Sequence, residues 1–84
     1  MKRERSKWEI IFDVLKVTHE ERNARKTRIM QRAYLDWKNF QRYFKFLIDE
    51  GYIANCNPEF DRYELTEEGK NLLTKLREVC RILR

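Results

Sequence analysis

The stretch from Asp36 to Gly51 constrains the chain most, because it carries its own start, stop and buried face. Asp36 is a strong N-cap residue, able to accept an amide proton that the first helical turn leaves unpaired. Gly51 is the residue type that most readily takes the left-handed conformation just past a helix end. Between them Phe40, Tyr43, Phe44, Leu47 and Ile48 recur at steps of three and four, which predicts a helix with one apolar stripe. Lys38, Asn39, Gln41, Arg42 and Lys45 lie largely off that stripe. Their cations suit phosphate or guanine, and their amides can pair with adenine edges. Such a helix fits two roles, one reading nucleic acid and one merely turning a polar face to water. Its neighbours separate them.

Upstream, Lys26 to Leu35 places Ile29, Met30 and Ala33 at the spacing of a short helix, with Thr27 as its expected cap. Arg28, Gln31 and Arg32 fall on the outer face, and Tyr34 and Leu35 make a tight connection into Asp36. A short helix, a brief turn and a longer capped helix form a helix-turn-helix, with Leu35 packed between the two helices. Further upstream, Ser6 and Glu9 match the reciprocal capping box. Trp8, Ile11, Phe12 and Leu15 mark the buried face of a first helix running to about Val17 or Thr18, with Ile10 and Val14 at its margins. His19 to Arg25 is polar and without period, and reads as a loop in which His19 is solvated.

Downstream of Gly51 the period changes to two. Tyr52 to Cys56 and Arg62 to Thr66 alternate as strands around the turn formers Asn57, Pro58 and Asp61. Two strands directly after a reading helix make a wing, with Tyr63 and Leu65 facing the core and Arg62 and Glu64 facing solvent. Thr66 caps a last helix with Glu67 and Glu68 in its first turn, where the helix dipole favours carboxylates. Leu72, Leu76, Val79 and Leu83 step by four, three and four, the spacing of a helix-pairing seam that Leu73 and Cys80 widen. The predicted class is α+β, mainly helical. A winged helix-turn-helix domain spans residues 1–66. The seam of the C-terminal helix over 67–84 could cover the domain's own core, but it continues past the point where such a domain needs a lid, so it is read as pairing two copies in a short coiled coil.

Charge sharpens the reading. The formal net charge is +5, and it is uneven: +3 over residues 1–8, +3 over 19–32, −4 over 51–69 and +4 over 70–84. Two basic blocks therefore precede the reading helix, which points to a polyanion partner. Hydrophobic content of 42% supports a packed core and excludes a disordered chain. No apolar run approaches the roughly 20 residues that cross a bilayer, and the start leads straight into an amphipathic helix, so neither a membrane span nor a signal peptide is expected. Cys56 and Cys80 have no CxxC neighbour, and with lone His19 they cannot supply the four ligands of structural zinc. Both are read as small apolar fillers, and no cofactor is expected.

The run Lys26-Thr27-Arg28-Ile29-Met30, then Ala33, Leu35, Tyr43, Phe44, Leu47, Gly51, Tyr52, Ile53, Tyr63, Glu64, Leu65, Thr66 and Gly69 together resemble the small archaeal winged-helix proteins of the ten-kilodalton chromatin-protein family. The step from Leu65 and Thr66 to Gly69 and the opening of the second helix are its more specific parts. The resemblance implies a homodimer that binds double-stranded DNA, a regulatory or chromatin role, and a cytoplasmic, nucleoid-associated location. It also implies that Lys38, Asn39, Gln41, Arg42 and Lys45 face the major groove. Arg28 and Arg32 then lie near phosphates, Lys26 is counted with the DNA-binding residues, Arg62 is the wing cation, and Leu72, Leu76, Val79 and Leu83 face a second subunit.

A competing reading is a winged-helix module that binds protein instead of DNA. Glu59 and Asp61 at the wing tip would repel phosphates, and Trp37 could anchor an interface. An enzyme is not expected. The sequence holds no nucleophile–base pair, paired carboxylates or glycine-rich phosphate loop, and no small-molecule substrate is evident.

Overall fold

Ser6 opens the first helix as the capping box requires. Its hydroxyl accepts from the Glu9 amide at 3.2 Å, and the Glu9 carboxylate accepts from the Ser6 amide at 3.0 Å. The computed structural model describes residues 5–83. Their order is helix α1 (Lys7–Glu21), α2 (Lys26–Arg32), α3 (Trp37–Asp49), strand β1 (Ile53–Asn57), a 3-10 turn (Pro58–Phe60), β2 (Arg62–Leu65) and α4 (Glu67–Leu83). The strands are antiparallel, pairing Ile53 with Leu65 and Asn55 with Tyr63, and a bulge between Asn55 and Asn57 precedes the turn. This is the winged helix-turn-helix arrangement.

The core is built from one stripe of every element. Ile11, Val14 and Leu15 of α1, Ile29 of α2 and Phe40 and Leu47 of α3 are fully buried, joined by Ile53, Tyr63, Leu65, Leu73 and Leu76. Phe40 stacks on Phe44 at a centroid distance of 4.8 Å, and Phe44 meets the edge of Tyr63 at 4.9 Å. That ladder fastens the wing to α3. Each large apolar side chain removed from water in this way stabilises the fold by roughly 1.5–3 kcal/mol before its ordering entropy is subtracted.

Several local expectations are corrected. Helix α1 continues through His19 and Glu20 to Glu21, and the Arg22 amide still donates to the Thr18 carbonyl at 3.2 Å; buried Thr18 returns its hydroxyl to the Val14 carbonyl at 2.7 Å. Trp8 is half exposed rather than buried. The cap position of α2 is Arg25, without a side-chain hydrogen bond, and Thr27 lies one residue inside the helix. Ala24 and Tyr63 exchange two backbone hydrogen bonds, 3.2 and 2.9 Å, which adds a one-residue third strand to the wing. Cys56 is exposed and hydrogen-bonded to Asn23, so it fills no core. The side chains of Cys80 and Leu83 lie outside the described residues.

Helix α4 serves the body first. Leu73 and Leu76 are 4% and 8% exposed inside the chain's own core, and Leu72 packs against it. Of the expected seam, Leu76 is therefore largely covered by the chain's own fold. Val79, nearly half exposed, is where the stripe emerges from the body.

Candidate nucleic-acid interface

Helix α3 is held from beneath and open above. The Asp36 carboxylate accepts from the Asn39 amide at 2.8 Å and starts the helix. At its end, the Gly51 amide donates to the Ile48 carbonyl at 3.0 Å and the Tyr52 amide to the Leu47 carbonyl at 2.8 Å. This is a Schellman cap, made possible by Gly51 at φ 83°. With Phe40, Phe44 and Leu47 buried on one side, helical geometry turns Lys38, Arg42 and Lys45 to the other, and all three are exposed.

The polar face is not uniform. Among the described residues Lys38 and Arg42 are in no ion pair, whereas Lys45 lies 3.0 Å from Asp49 one turn on. The pair is exposed and screened by salt, so a phosphate can compete for Lys45 at small cost. Gln41 is exposed on the flank towards α2, and Asn39 on the opposite flank. The Asn39 side-chain amide donates to Asp36 at 3.3 Å, which occupies one of its two donors. An open cleft of about 360 Å³ runs along the Gln41 flank, lined by Lys26, Phe40, Gln41, Phe44, Lys45 and Ile48.

The cations expected near phosphates divide into two kinds. Lys26 is half-buried, with its ammonium 5.8 Å from the centre of the Tyr63 ring. Arg28 and Arg32 are both engaged by α1: Glu21 accepts from Arg28 at 3.1 Å and from Arg32 at 2.6 Å, and Glu20 lies 3.4 Å from Arg32. Hydrogen bonds from Arg32 and then Arg28 hold the Glu21 carboxyl below the ordinary glutamate range, and Glu21 in turn raises Arg32. Two of the expected phosphate contacts thus carry counter-charges of their own. Arg62 is also tied back, donating to the Asn23 carbonyl at 3.4 Å. Adjacent Glu20 and Glu21 gave no sign of this clamp in sequence, because their partners lie 7 to 12 residues on.

The wing tip is acidic and aromatic. Glu59 and Phe60 are exposed on the 3-10 turn, and Asp61 takes the left-handed conformation at φ 56°. The Tyr63 hydroxyl donates to the Asp61 carboxylate at 3.0 Å, and burial together with that carboxylate pushes the phenol up to about 12. Trp37 is 47% exposed yet stacks on Phe40 with ring centres 6.1 Å apart, so it half-closes the core and half-faces solvent. Among the described residues no group of acidic, histidine and cysteine side chains could hold a metal ion, and no helix is long and apolar enough to cross a membrane.

Residues 4–84 match the family model for the winged helix-turn-helix. The uncharacterized protein MJ0287 of Methanocaldococcus jannaschii is 45% identical over 79 residues, covering 94% of this chain and 77% of that protein. MJ0290 of the same organism is 39% identical over 79 residues, with 94% of this chain matching 36% of its length. Among solved structures, Sso10a-2, a DNA-binding protein from Sulfolobus solfataricus, superposes with a TM-score of 0.76 at 34% identity, over 93% of this chain and 81% of its own. The multiple antibiotic-resistance repressor MarR from Listeria monocytogenes superposes at 0.71 with 14% identity, over 81% of this chain and 48% of its own, a likeness of fold alone.

Proposed function

Because the chain belongs to the winged helix-turn-helix family, we propose that it binds double-stranded DNA as a homodimer, laying α3 in the major groove as a transcriptional regulator or chromatin-associated protein. One observation carries the reading. Lys38, Gln41, Arg42 and Lys45 stand exposed on α3 while Phe40, Phe44 and Leu47 of the same helix are locked into the core. A rigid helix presenting cations and an amide without its own fold covering them suits phosphate anchoring combined with base contact. Arg42 and Gln41 are the residues assigned to base edges, and Lys38 and Lys45 to phosphates. Lys26 stands at the edge of the same face, beside the cleft. Arg28 and Arg32 are assigned a smaller share, because a phosphate must displace Glu21 to reach them. The DNA-binding neighbour at 34% identity supports the same partner.

Self-association is assigned to the apolar stripe of α4, chiefly its distal end from Val79 towards Leu83, with half-buried Leu72 two turns earlier on the same stripe. A dimer sets two α3 helices on one duplex and adds their contacts.

The acidic wing tip favours a second reading, in which Trp37, Glu59 and Phe60 bind a protein partner. A titration of random-sequence duplex separates the two. If about six phosphates are neutralised, affinity falls by roughly a thousandfold between 50 and 200 mM salt. Absent or salt-independent retention sinks the DNA reading and leaves the interaction module.

A further inference from the structure

Two helices of this chain end in the same cap, and only one of them has a glycine for it. At the end of α3 the left-handed position belongs to Gly51. At the end of α2 it belongs to Tyr34, at φ 57°. The hydrogen bonds match: the Tyr34 amide donates to Gln31 and the Leu35 amide to Met30, both at 3.2 Å. A side chain with a Cβ is disfavoured in this conformation, and it persists only where surrounding structure imposes it. The phenol of Tyr34 is 87% exposed, so packing of its own ring does not impose it.

The constraint comes from the other side. Arg5 donates from Nη1 to the Ala33 carbonyl and from Nη2 to the Tyr34 carbonyl, both at 2.8 Å. Nη1 also reaches the Asp13 carboxylate at 2.7 Å, which fixes the guanidinium to α1. Those two carbonyls sit at the C-terminal end of α2, where acceptors lack helical partners and positive charge is favoured. A guanidinium suits the task because its donors diverge in a rigid plane, which an ammonium cannot reproduce. Tyr34 is two residues before the cap of α3, so its backbone angles set where α3 points.

We propose that Arg5 is a positioning residue for DNA reading: by bridging Asp13 to the Ala33 and Tyr34 carbonyls, it holds the helix-turn-helix turn left-handed and fixes the angle at which α3 is presented. The inference rests on the DNA-binding reading above, and Arg5 contributes without touching the duplex.

The test uses duplex titration and amide hydrogen exchange on the full chain. Arg5→Gln weakens duplex binding about tenfold with the salt slope unchanged, while a slope shallower by about 0.9 identifies a phosphate contact and overturns the proposal. Arg5→Lys keeps the charge but not the fork, and shows the same loss. Wild-type affinity in Arg5→Lys overturns the role of the fork. Tyr34→Gly supplies the left-handed residue at no steric cost, so Arg5→Gln in that background costs less than about threefold. A full tenfold loss there contradicts the proposal. Without DNA, Arg5→Gln speeds exchange of the Tyr34 and Leu35 amides by tenfold or more and leaves those of Gly51 and Tyr52 unchanged. Unchanged exchange at Tyr34 and Leu35 overturns the strut itself, whereas wild-type protein that ignores duplex overturns only the DNA reading.

Discussion

Gly69 is in backbone contact with Tyr52, so that a Cβ at position 69 would collide with the Tyr52 carbonyl oxygen. The same carbonyl accepts from the Thr66 amide at 3.0 Å. The Thr66 hydroxyl donates to the Gly51 carbonyl at 2.6 Å, with the Tyr52 carbonyl 3.2 Å away, and accepts from the Gly69 amide at 3.0 Å. The first turn of α4 is thereby sewn onto the end of α3. Gly69→Ala is predicted to destabilise the fold by about 1–3 kcal/mol or more, because the obstacle is backbone and cannot rotate away. Helix propensity alone favours alanine by about 1 kcal/mol. A urea-unfolding midpoint at or above that of wild type would refute the contact.

This contact also shows why the fold was legible and parts of the site were not. The step from Thr66 to Gly69 is local: cap, first turn and the one residue small enough for the crossing lie within four positions. Asp36 with Gly51, and Ser6 with Glu9, are local in the same sense, and their caps stand where the sequence puts them. The clamp of Glu21 on Arg28 and Arg32 joins two helices, and the tie from Arg5 to Tyr34 spans 29 residues. Nothing periodic announces such pairs. The stripe of α4 misled differently, because identical spacing serves a core lid at Leu76 and an exposed face at Val79.

Replacing Lys38, Arg42 and Lys45 together by alanine tests the reading face. The three are exposed, and only the Lys45 pair with Asp49 is lost from the fold. That pair contributes about 0.3–0.5 kcal/mol. Stability is therefore expected to stay nearly unchanged while duplex affinity falls and the salt slope becomes shallower by about 1.8, at 0.9 for each of the two phosphate contacts assigned to Lys38 and Lys45. Undiminished duplex retention by the folded triple variant would remove α3 from the interface.

Glu21 predicts behaviour in acid. Its carboxyl is held below the unfolded value of 4.5 by Arg32 and then Arg28. A depressed value stabilises the fold above 4.5, and this contribution is lost as pH falls through the folded value beneath it. Glu21→Gln should accordingly be less stable at neutral pH and show a shallower decline below pH 4.5. Because the clamp is solvent-exposed, added salt should shrink the difference between the two profiles. Parallel acid profiles in low salt would show that the clamp contributes nothing.

Tyr63 predicts behaviour in alkali. Burial and the Asp61 carboxylate raise its phenol from 10.0 to about 12. A raised acid favours the fold fully below the unfolded value of 10.0 and stops doing so as pH passes the folded value near 12. Stability should fall across that window, and Tyr63→Phe should flatten the fall while losing the Asp61 hydrogen bond, about 0.5–1.5 kcal/mol at neutral pH. Ultraviolet titration should show one phenol ionising last. Four phenols ionising together would place Tyr63 in solvent.

Val79 tests how two copies meet. Leu73 and Leu76 are buried in the body, so under the proposed self-association a partner helix would meet the stripe where it leaves the core, and Val79 is the first apolar residue there. Val79→Glu sets a carboxylate on that face and improves helix propensity, so α4 should persist while the pairing is lost. Sedimentation should report a dimer for wild type and a monomer for the variant at equal helix content. Duplex affinity should drop with it, since one α3 helix then binds without the effective concentration that a linked second helix supplies. A variant that still sediments as a dimer moves the interface off α4, and a monomeric wild type removes avidity from the mechanism and leaves a single reading helix to hold the duplex.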